Sequence, residues 1–170
     1  MVRTAVAVLT ERLELRAPTE ADRERFVALF QDPDFMVFSN GVHEVESAHA
    51  RFDVMLRTGA ELPYAKQPVI ELATRQIIGY SGVAWFAFEG VQRLEFGYRL
   101  VPEARGKGYA TEAGRALIAL AAESFRGEML AMVDPTNIAS TNVITKLGFT
   151  FWKDAVVDGF RDNLFRQTFS

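Results

Sequence analysis

The sequence predicts an α+β fold in which about four helices flank a twisted, mostly antiparallel sheet of about seven strands. Three observations support this prediction. Runs rich in β-branched and aromatic residues follow one another in the middle of the chain, amphipathic segments with helical spacing stand on both sides of them, and two more β-rich runs end the chain. The predicted order is strand, two helices, three strands, helix, strand, helix and two strands.

The first third of the chain predicts a strand followed by two helices. RLELRAP (12–18) alternates apolar and polar residues, as a half-buried strand does. TEADRERFVALF (19–30) opens with Thr and early acidic residues and is expected to form a helix that stops near Pro33. A second helix is expected from Glu46 to Thr58, with Gly59 closing it.

The middle of the chain predicts an antiparallel meander. Its strands are VIELAT (69–74), IIGYSGVAWFAF (77–88) and RLEFGYRLV (93–101). The separators RQ and EGVQ are short enough for hairpin turns. Most of the sheet is therefore expected here.

The last third alternates helices and strands. An amphipathic helix is expected from Gly108 to Phe125, with a glycine stop at Gly127, followed by the buried strand EMLAMVD (128–134). NIASTNVITKLGF (137–149) predicts a short helix ending at Gly148. A closing hairpin is expected from TFWKDAVV and NLFRQTF on either side of the turn DGFRD. Since neither a repeat nor a linker interrupts this order, residues 1–170 are expected to form one domain.

Composition narrows the classes of function. The net charge of −3 disfavours a nucleic-acid binder, and the absence of Cys with only two His disfavours a metal site. The N-terminal run AVAVL has no cleavage signature, and VAWFAF is far shorter than the ~20 residues of a membrane span. We therefore expect a soluble cytoplasmic protein that binds neither nucleic acid, nor metal, nor membrane.

The stretch VPEARGKGYATEA (101–113) places two glycines and two cations at a helix entrance. It matches neither the P-loop nor the GxGxxG dinucleotide fingerprint. Gly106 and Gly108 nevertheless allow consecutive backbone N–H groups to face one concavity before a helix N-terminus, a favourable place for a pyrophosphate. Arg105 and Lys107 would add charge. The alternative is an anion-free turn with two solvated cations.

RGKGYA resembles the R/QxxGxG/A acyl-CoA motif of the GNAT superfamily of N-acetyltransferases, with Arg105, Gly108 and Ala110 at the defining positions. The blocks TERLELRAPTEAD, LEFGYRLVPEARGKGYATEA and VDPTNIASTNVITKLGF are similar, in order, to those of ribosomal-protein N-terminal acetyltransferases (RimJ/RimL-like). The likeness extends from Thr10 to Phe149. It implies a GNAT-type sheet with a splayed cleft between the fourth and fifth strands, and acetyl-CoA as co-substrate.

The resemblance also implies a set of binding residues. Those expected to contact acetyl-CoA are Arg99, Leu100, Val101, Arg105, Gly106, Lys107, Gly108, Tyr109, Ala110, Asn137 and Ser140. Gly97 stands alone in a strand, which predicts a bulge or a close approach of another backbone. By resemblance the bulge splays the strand and admits the pantetheine arm; the alternative is a packing glycine beneath an aromatic residue such as Phe86.

Two side chains are candidates for catalysis. Glu95, two residues before Gly97, would act as the base; its alternative is an outward-facing strand carboxylate, because alternation alone does not fix the face. Ser140 would lie near the thioester sulfur as a proton donor. Asn137 is explained equally by capping the short helix and by contacting pantetheine.

The implied activity is transfer of an acetyl group from acetyl-CoA to a primary amine by direct attack in a ternary complex. The N-terminal α-amino group of a protein is the preferred acceptor, because its pKa of about 8 leaves it partly neutral at pH 7, whereas that of lysine is about 10.4. Acetylation of a small amine, such as a polyamine, antibiotic or amino acid, is the alternative enzyme. A non-catalytic acyl-CoA-binding protein is the alternative from another class, and both a monomer and a homodimer remain open.

Overall fold

The computed structural model describes residues 7–39 and 41–170, which form one sheet and four α-helices. The strands are β1 (Val8–Leu9), β2 (Leu13–Leu15), β3 (Gln67–Glu71), β4 (Ile77–Phe88), β5 (Val91–Leu100), β6 (Gly127–Val133), β7 (Thr150–Val157) and β8 (Phe160–Phe169). The helices are α1 (Arg23–Phe30), α2 (Val45–Glu61), α3 (Tyr109–Ser124) and α4 (Ile138–Lys146). Single 3-10 turns precede α1 and α3.

The predicted α+β class, the four helices and the mostly antiparallel sheet are confirmed. The strand order is β1-β2-β3-β4-β5-β6-β8-β7, and among the described strands only β5 and β6 pair in parallel. The eighth strand, β1, was not predicted. It pairs with β2 over only two residues, a length too short to give an alternating pattern.

Three predicted boundaries were wrong at the turns. β3 ends at Glu71, so the connection to β4 is longer than the predicted RQ. The two hairpins are tighter than predicted, because Glu89–Gly90 and Asp158–Gly159 alone form their turns. All four of these turn residues have positive φ, of 50° and 76° in the first hairpin and 50° and 84° in the second. Two such residues in a row make a type I′ turn, which matches the twist of the flanking strands.

The prediction that Gly59 closes the second helix was also wrong, because Gly59 lies inside α2. A Cβ at this position would lie 2.9 Å from Cδ of Pro18, so the glycine allows the helix to pass close to the end of β2. Leu62, which follows the helix, is extended. Because Pro63 disfavours a helical conformation in the residue before it, the helix ends here.

The helices cover the two faces of the sheet. α3 and α4 pack on one face, where Phe96 of β5 lies in the same buried cluster as Ile118 and Ile144. α1 and α2 pack on the other face, around Tyr80 of β4. Alternation along β5 therefore points Phe96 toward α3 and α4, and Glu95 toward the face of α1 and α2. Among the described residues, none of the helices combines the length and the apolar character needed to cross a bilayer.

Asp22, in the turn before α1, holds the end of β2 to that helix. Its side chain accepts hydrogen bonds from both Arg16 Nη atoms at 2.7 and 2.9 Å, and from the Thr19 backbone N–H at 2.8 Å. Burial alone would raise the pKa of Asp22, but the hydrogen bonds from Arg16 and Thr19 outweigh it and lower that pKa. The carboxylate is thus needed in its charged form.

Replacing Asp22 by Asn should lower the free energy of unfolding by about 2 kcal/mol at pH 7, since it leaves a partly buried guanidinium without its counter-charge. Because the pKa is lowered in the folded state, the stabilisation is complete above the unfolded value of about 4 and is lost as pH falls through the folded value. Urea unfolding at pH 7 and at about pH 3 measures both effects. Asp53→Asn, in a more exposed pair, is the control, and an equal loss in both variants would contradict the prediction.

Candidate active site

β5 and β6 part in the middle of the sheet. Their ladder consists of Leu94 with Met129, Glu95 with Leu130, and Phe96 with Ala131, and it ends there. These are the fourth and fifth of the strands predicted from the sequence, which did not include β1, so the predicted splay between them is confirmed. The predicted bulge at Gly97 is absent from the pairing of β5 with β4, because Gly97 lies opposite Gly82 in an unbroken register. The gap arises from divergence of two parallel strands, which leaves one backbone edge of residues 97–100 open.

A cavity of about 530 Å³ occupies this gap and extends to the start of α3. Nine of the residues expected to contact acetyl-CoA line it, namely Arg99, Leu100, Arg105, Gly106, Gly108, Tyr109, Ala110, Asn137 and Ser140. Val101 and Lys107, also expected, are not part of the lining. The opposite wall comes from the end of β6 and from α4, including Val133, Asp134 and Val143.

The glycine loop has the backbone geometry that an anion site requires. Gly106 and Gly108 have φ of 73° and 83°, and Gly108 directly precedes the sixteen-residue helix α3 without a side-chain cap. Within residues 7–39 and 41–170, no side chain caps the first N–H groups of α3, so these groups remain available to an anion. Arg12 Nη1 donates to the Lys107 carbonyl at 2.9 Å and holds that part of the loop in place. This loop fits the pyrophosphate of acetyl-CoA.

Side chains around the loop act mainly as supports. Arg105 donates to the backbone carbonyls of Leu100 at 3.1 Å and Asp34 at 2.8 Å, so it ties the loop to the segment after α1. Glu112 of α3 accepts from the Arg12 backbone N–H and from its Nε, both at 2.8 Å. The hydroxyl of Tyr109 donates to Glu71 at 2.6 Å.

On the α4 side of the gap, the predicted helix cap is confirmed. Asn137 Oδ1 accepts from the Ser140 backbone N–H at 3.1 Å. The Ser140 hydroxyl in turn accepts from the Tyr98 hydroxyl at 3.2 Å. Burial raises the pKa of Tyr98 although the bond to Ser140 opposes it, so the phenol keeps its proton at neutral pH. The sequence analysis missed the Tyr98 side chain, although alternation along β5 places it on the same face as Phe96.

Glu95 lies on the opposite face of β5 and is only 13% exposed. Its Oε2 atom is 3.3 Å from Nζ of Lys66, so the outward-facing alternative does not describe it. A Cβ on Gly97 would lie 3.1 Å from Glu95 Oε1 and 3.4 Å from Lys66 Nζ. The glycine thus leaves room beneath this ion pair, and the alternative of a packing role under Phe86 is wrong.

Next to Glu95, three cations surround a buried phenol that the sequence analysis did not single out. The Tyr80 hydroxyl accepts from Arg51 Nη2 at 3.3 Å and from Arg99 Nε at 3.4 Å, and Lys66 Nζ lies 5.6 Å from the Tyr80 ring centre. Burial alone would raise the pKa of Tyr80, but the charges of Lys66, Arg99 and Arg51 outweigh it and lower that pKa to about 7. Tyr80 lies opposite Arg99 on the neighbouring strand. Its place in the site could be predicted only if the register between the two strands were known.

Comparison with known proteins gives a consistent result. Residues 12–150 match the family model described as an acetyltransferase (GNAT) domain. The uncharacterised protein YkkB of Bacillus subtilis (strain 168) is 28% identical over 148 residues, which cover 86% of each chain. An acetyltransferase from Agrobacterium tumefaciens (strain C58) has a TM-score of 0.80 and 25% identity, covering 95% of this chain and 94% of its own. The ribosomal-protein-S5-alanine acetyltransferase from Vibrio fischeri has a TM-score of 0.72 and 19% identity, covering 96% and 97%.

Proposed function

Because the chain belongs to the GNAT family of acetyltransferases, and so is an acetyl-CoA-dependent N-acetyltransferase, we propose that its acceptor is the N-terminal α-amino group of a protein. The observation that carries the proposal is the position of Glu95, one residue before the point where β5 and β6 part, and in an ion pair with Lys66. An α-amine, whose pKa of about 8 leaves part of it neutral at pH 7, asks less of the group that accepts its proton than a lysine with a pKa of about 10.4 does.

The binding roles follow from the cavity. The amides of the glycine loop and the N-terminus of α3 hold the pyrophosphate. The backbone edge of β5 that β6 leaves open, within residues 97–100, pairs with the pantetheine arm as an added strand would. Asn137 and Ser140 face that arm from α4. Arg105 supports the loop through its backbone contacts and adds positive charge near the phosphates.

The catalytic roles are divided between the two faces of β5. Acetyl-CoA supplies a thioester carbonyl carbon, to which the amine nitrogen forms the new bond while the bond to sulfur breaks. Glu95, on the α1–α2 face, accepts the proton that the amine loses, directly or through a water. Ser140, which accepts a hydrogen bond from the Tyr98 hydroxyl on the α4 face, donates a proton to the departing thiolate and regains one from that hydroxyl, which solvent then reprotonates. A backbone N–H between Tyr98 and Leu100 polarises the carbonyl oxygen.

A panel of acceptors tests the proposal. The purified protein is incubated with acetyl-CoA and with peptides carrying a free N-terminus, peptides blocked at the α-amine but containing lysine, or polyamines, and thiol release is followed. We expect release with free N-termini, and little with blocked peptides. Release only with polyamines would select the small-amine alternative, and release with no amine, together with tight acetyl-CoA binding, would select the non-catalytic one.

A further inference from the structure

The cluster around Tyr80 carries more positive charge than its surroundings balance. Lys66, Arg51 and Arg99 surround the Tyr80 phenol, and Glu95, which pairs with Lys66, is the one carboxylate among the described residues in an ion pair with any of them; Asp162 lies beyond Glu95. Among residues 7–39 and 41–170, no carboxylate lies within ion-pair distance of either arginine. Partly buried cations without counter-charges cost free energy, so such a cluster indicates a site for an anion.

The hydrogen bonds of the cluster also leave donors available. Tyr80 is 3% exposed, and its hydroxyl accepts from both arginines, while no acceptor for its own proton occurs among the described residues. Arg99 Nη1 donates to the carbonyls of Phe35 and Val37, and Arg51 Nη1 lies 3.3 Å from His43 Nε2. Both guanidiniums are half-buried and therefore still reach solvent.

The cluster lies on the acceptor side of the gap at a defined distance from the base. Glu95 and Gly97 lie on the same face of β5 as Arg99, which is paired with Tyr80. Two residues along a strand span roughly 7 Å. If the amine of the acceptor lies above Gly97, another group of the same acceptor, several bonds from the amine, can therefore reach Arg51 and Arg99. That spacing fits a side-chain carboxylate of the residue that bears the amine.

We propose that Arg51, Arg99 and Tyr80 form a subsite for a carboxylate of the acceptor, so that the preferred substrate carries an acidic group close to the amine that is acetylated. The inference rests on the acetyl transfer proposed above and adds the class of acceptor. Two sources supply this chemistry: an acidic first residue of a protein, or a free acidic amino acid. The cations also disfavour the protonated amine, which helps to keep the nucleophile neutral.

The first test compares matched acceptors. kcat/KM is measured for two peptides with amidated C-termini that differ only in starting with Glu or Gln, and for free glutamate against free glutamine. We expect the Glu peptide to be preferred by on the order of tenfold, as for a partly exposed charge pair. The preference should fall toward one in Arg51→Gln and persist in Arg57→Gln, on the exposed side of the same helix.

The outcomes separate the two proposals. Equal kcat/KM for the two peptides overturns the carboxylate subsite while leaving N-terminal acetylation intact, and so does a preference that survives both Arg51→Gln and Arg99→Gln. Turnover of free glutamate but of neither peptide supports the subsite and overturns the protein acceptor. Turnover of both peptides with a clear preference for Glu supports both.

A second readout does not depend on activity. The charged groups that face the Tyr80 phenol are Arg51 from α2, Arg99 from β5 and Lys66 from the segment before β3, whereas α1 contributes the ring of Phe30. His43 lies beyond Arg51, and Glu95 beyond Lys66. A bound carboxylate offsets the positive charges and therefore raises the pKa of Tyr80.

Saturating the protein with the Glu peptide near pH 8, without acetyl-CoA, should reduce the ultraviolet absorbance of tyrosinate. The Gln peptide should leave the absorbance unchanged, and the signal should be missing in Tyr80→Phe. The midpoint of the Tyr80 titration, found from the difference between the protein and Tyr80→Phe, should rise with the Glu peptide; an unchanged midpoint at saturation would overturn the proposal even if the arginine variants fail to fold.

Discussion

Replacing Glu95 by Gln is expected to lower kcat by on the order of 100- to 1,000-fold while the Kd for acetyl-CoA stays within about twofold. The amide has nearly the volume of the carboxylate and still offers an oxygen to Lys66, 3.3 Å away in the unmodified protein, but it does not accept the proton of the amine. Because Glu95 faces the α1–α2 side and the glycine loop begins beyond β5, cofactor binding should be spared. Steady-state kinetics and calorimetry measure the two quantities.

The matched control is Glu128→Gln. Glu128 is a half-buried strand carboxylate paired with Arg93 and Arg166, away from the parting of β5 and β6. The Glu128→Gln variant should be less stable than the unmodified protein but should keep its kcat. If Glu95→Gln keeps kcat within a factor of three of the unmodified enzyme, then Glu95 is not the base and a water relay or another group must take the proton.

The glycine loop was predictable from the sequence because its information is local. Two glycines within three residues, ahead of an amphipathic run, specify positive φ and a helix start, and the structure has both. The splay of β5 from β6 was predicted only through the family resemblance. Gly97 by itself predicted a bulge or a close approach of another backbone, and the register between β4 and β5 excludes the bulge.

The acceptor side of the site was not predictable in the same way. The register between β4 and β5 pairs Tyr80 with Arg99, and Lys66 joins them because Gly82 lets residues 64–66 approach β4 closely: a Cβ at Gly82 would lie 2.4 Å from the Ala65 carbonyl oxygen. No local pattern in the sequence predicts that approach. The face on which Glu95 lies was left open for the same reason, since alternation gives two faces but not which helices cover them.

Tertiary packing also explains the errors in the helices and turns. A glycine such as Gly59 is typical of a helix end, but here it leaves room for Pro18, which packs against the helix at that position. At the hairpins, Gly90 and Gly159 are predicted as turn residues, but only two residues separate the strands. Cross-strand pairing continues up to the turn in both hairpins, and such pairs stabilise a sheet.

Replacing both loop glycines by alanine, Gly106→Ala with Gly108→Ala, is expected to raise the Kd for acetyl-CoA by on the order of tenfold to 100-fold. Alanine disfavours the positive φ that both residues adopt, by about 1 kcal/mol or more each. The loop therefore relaxes, and its N–H groups no longer point together at the pyrophosphate. Calorimetric titration with acetyl-CoA measures the loss.

The matched control separates this loss from general strain. Gly90 and Gly159 have φ of 76° and 84°, against 73° and 83° in the loop, and a Cβ at either would meet nothing within 4 Å. The double variant Gly90→Ala with Gly159→Ala should thus lose similar stability, measured by urea unfolding, but keep its affinity for acetyl-CoA. Equal affinities in the two double variants would contradict a role for the loop amides, whereas a selective loss in the loop variant ties the backbone conformation of Gly106 and Gly108 directly to the binding of the phosphates.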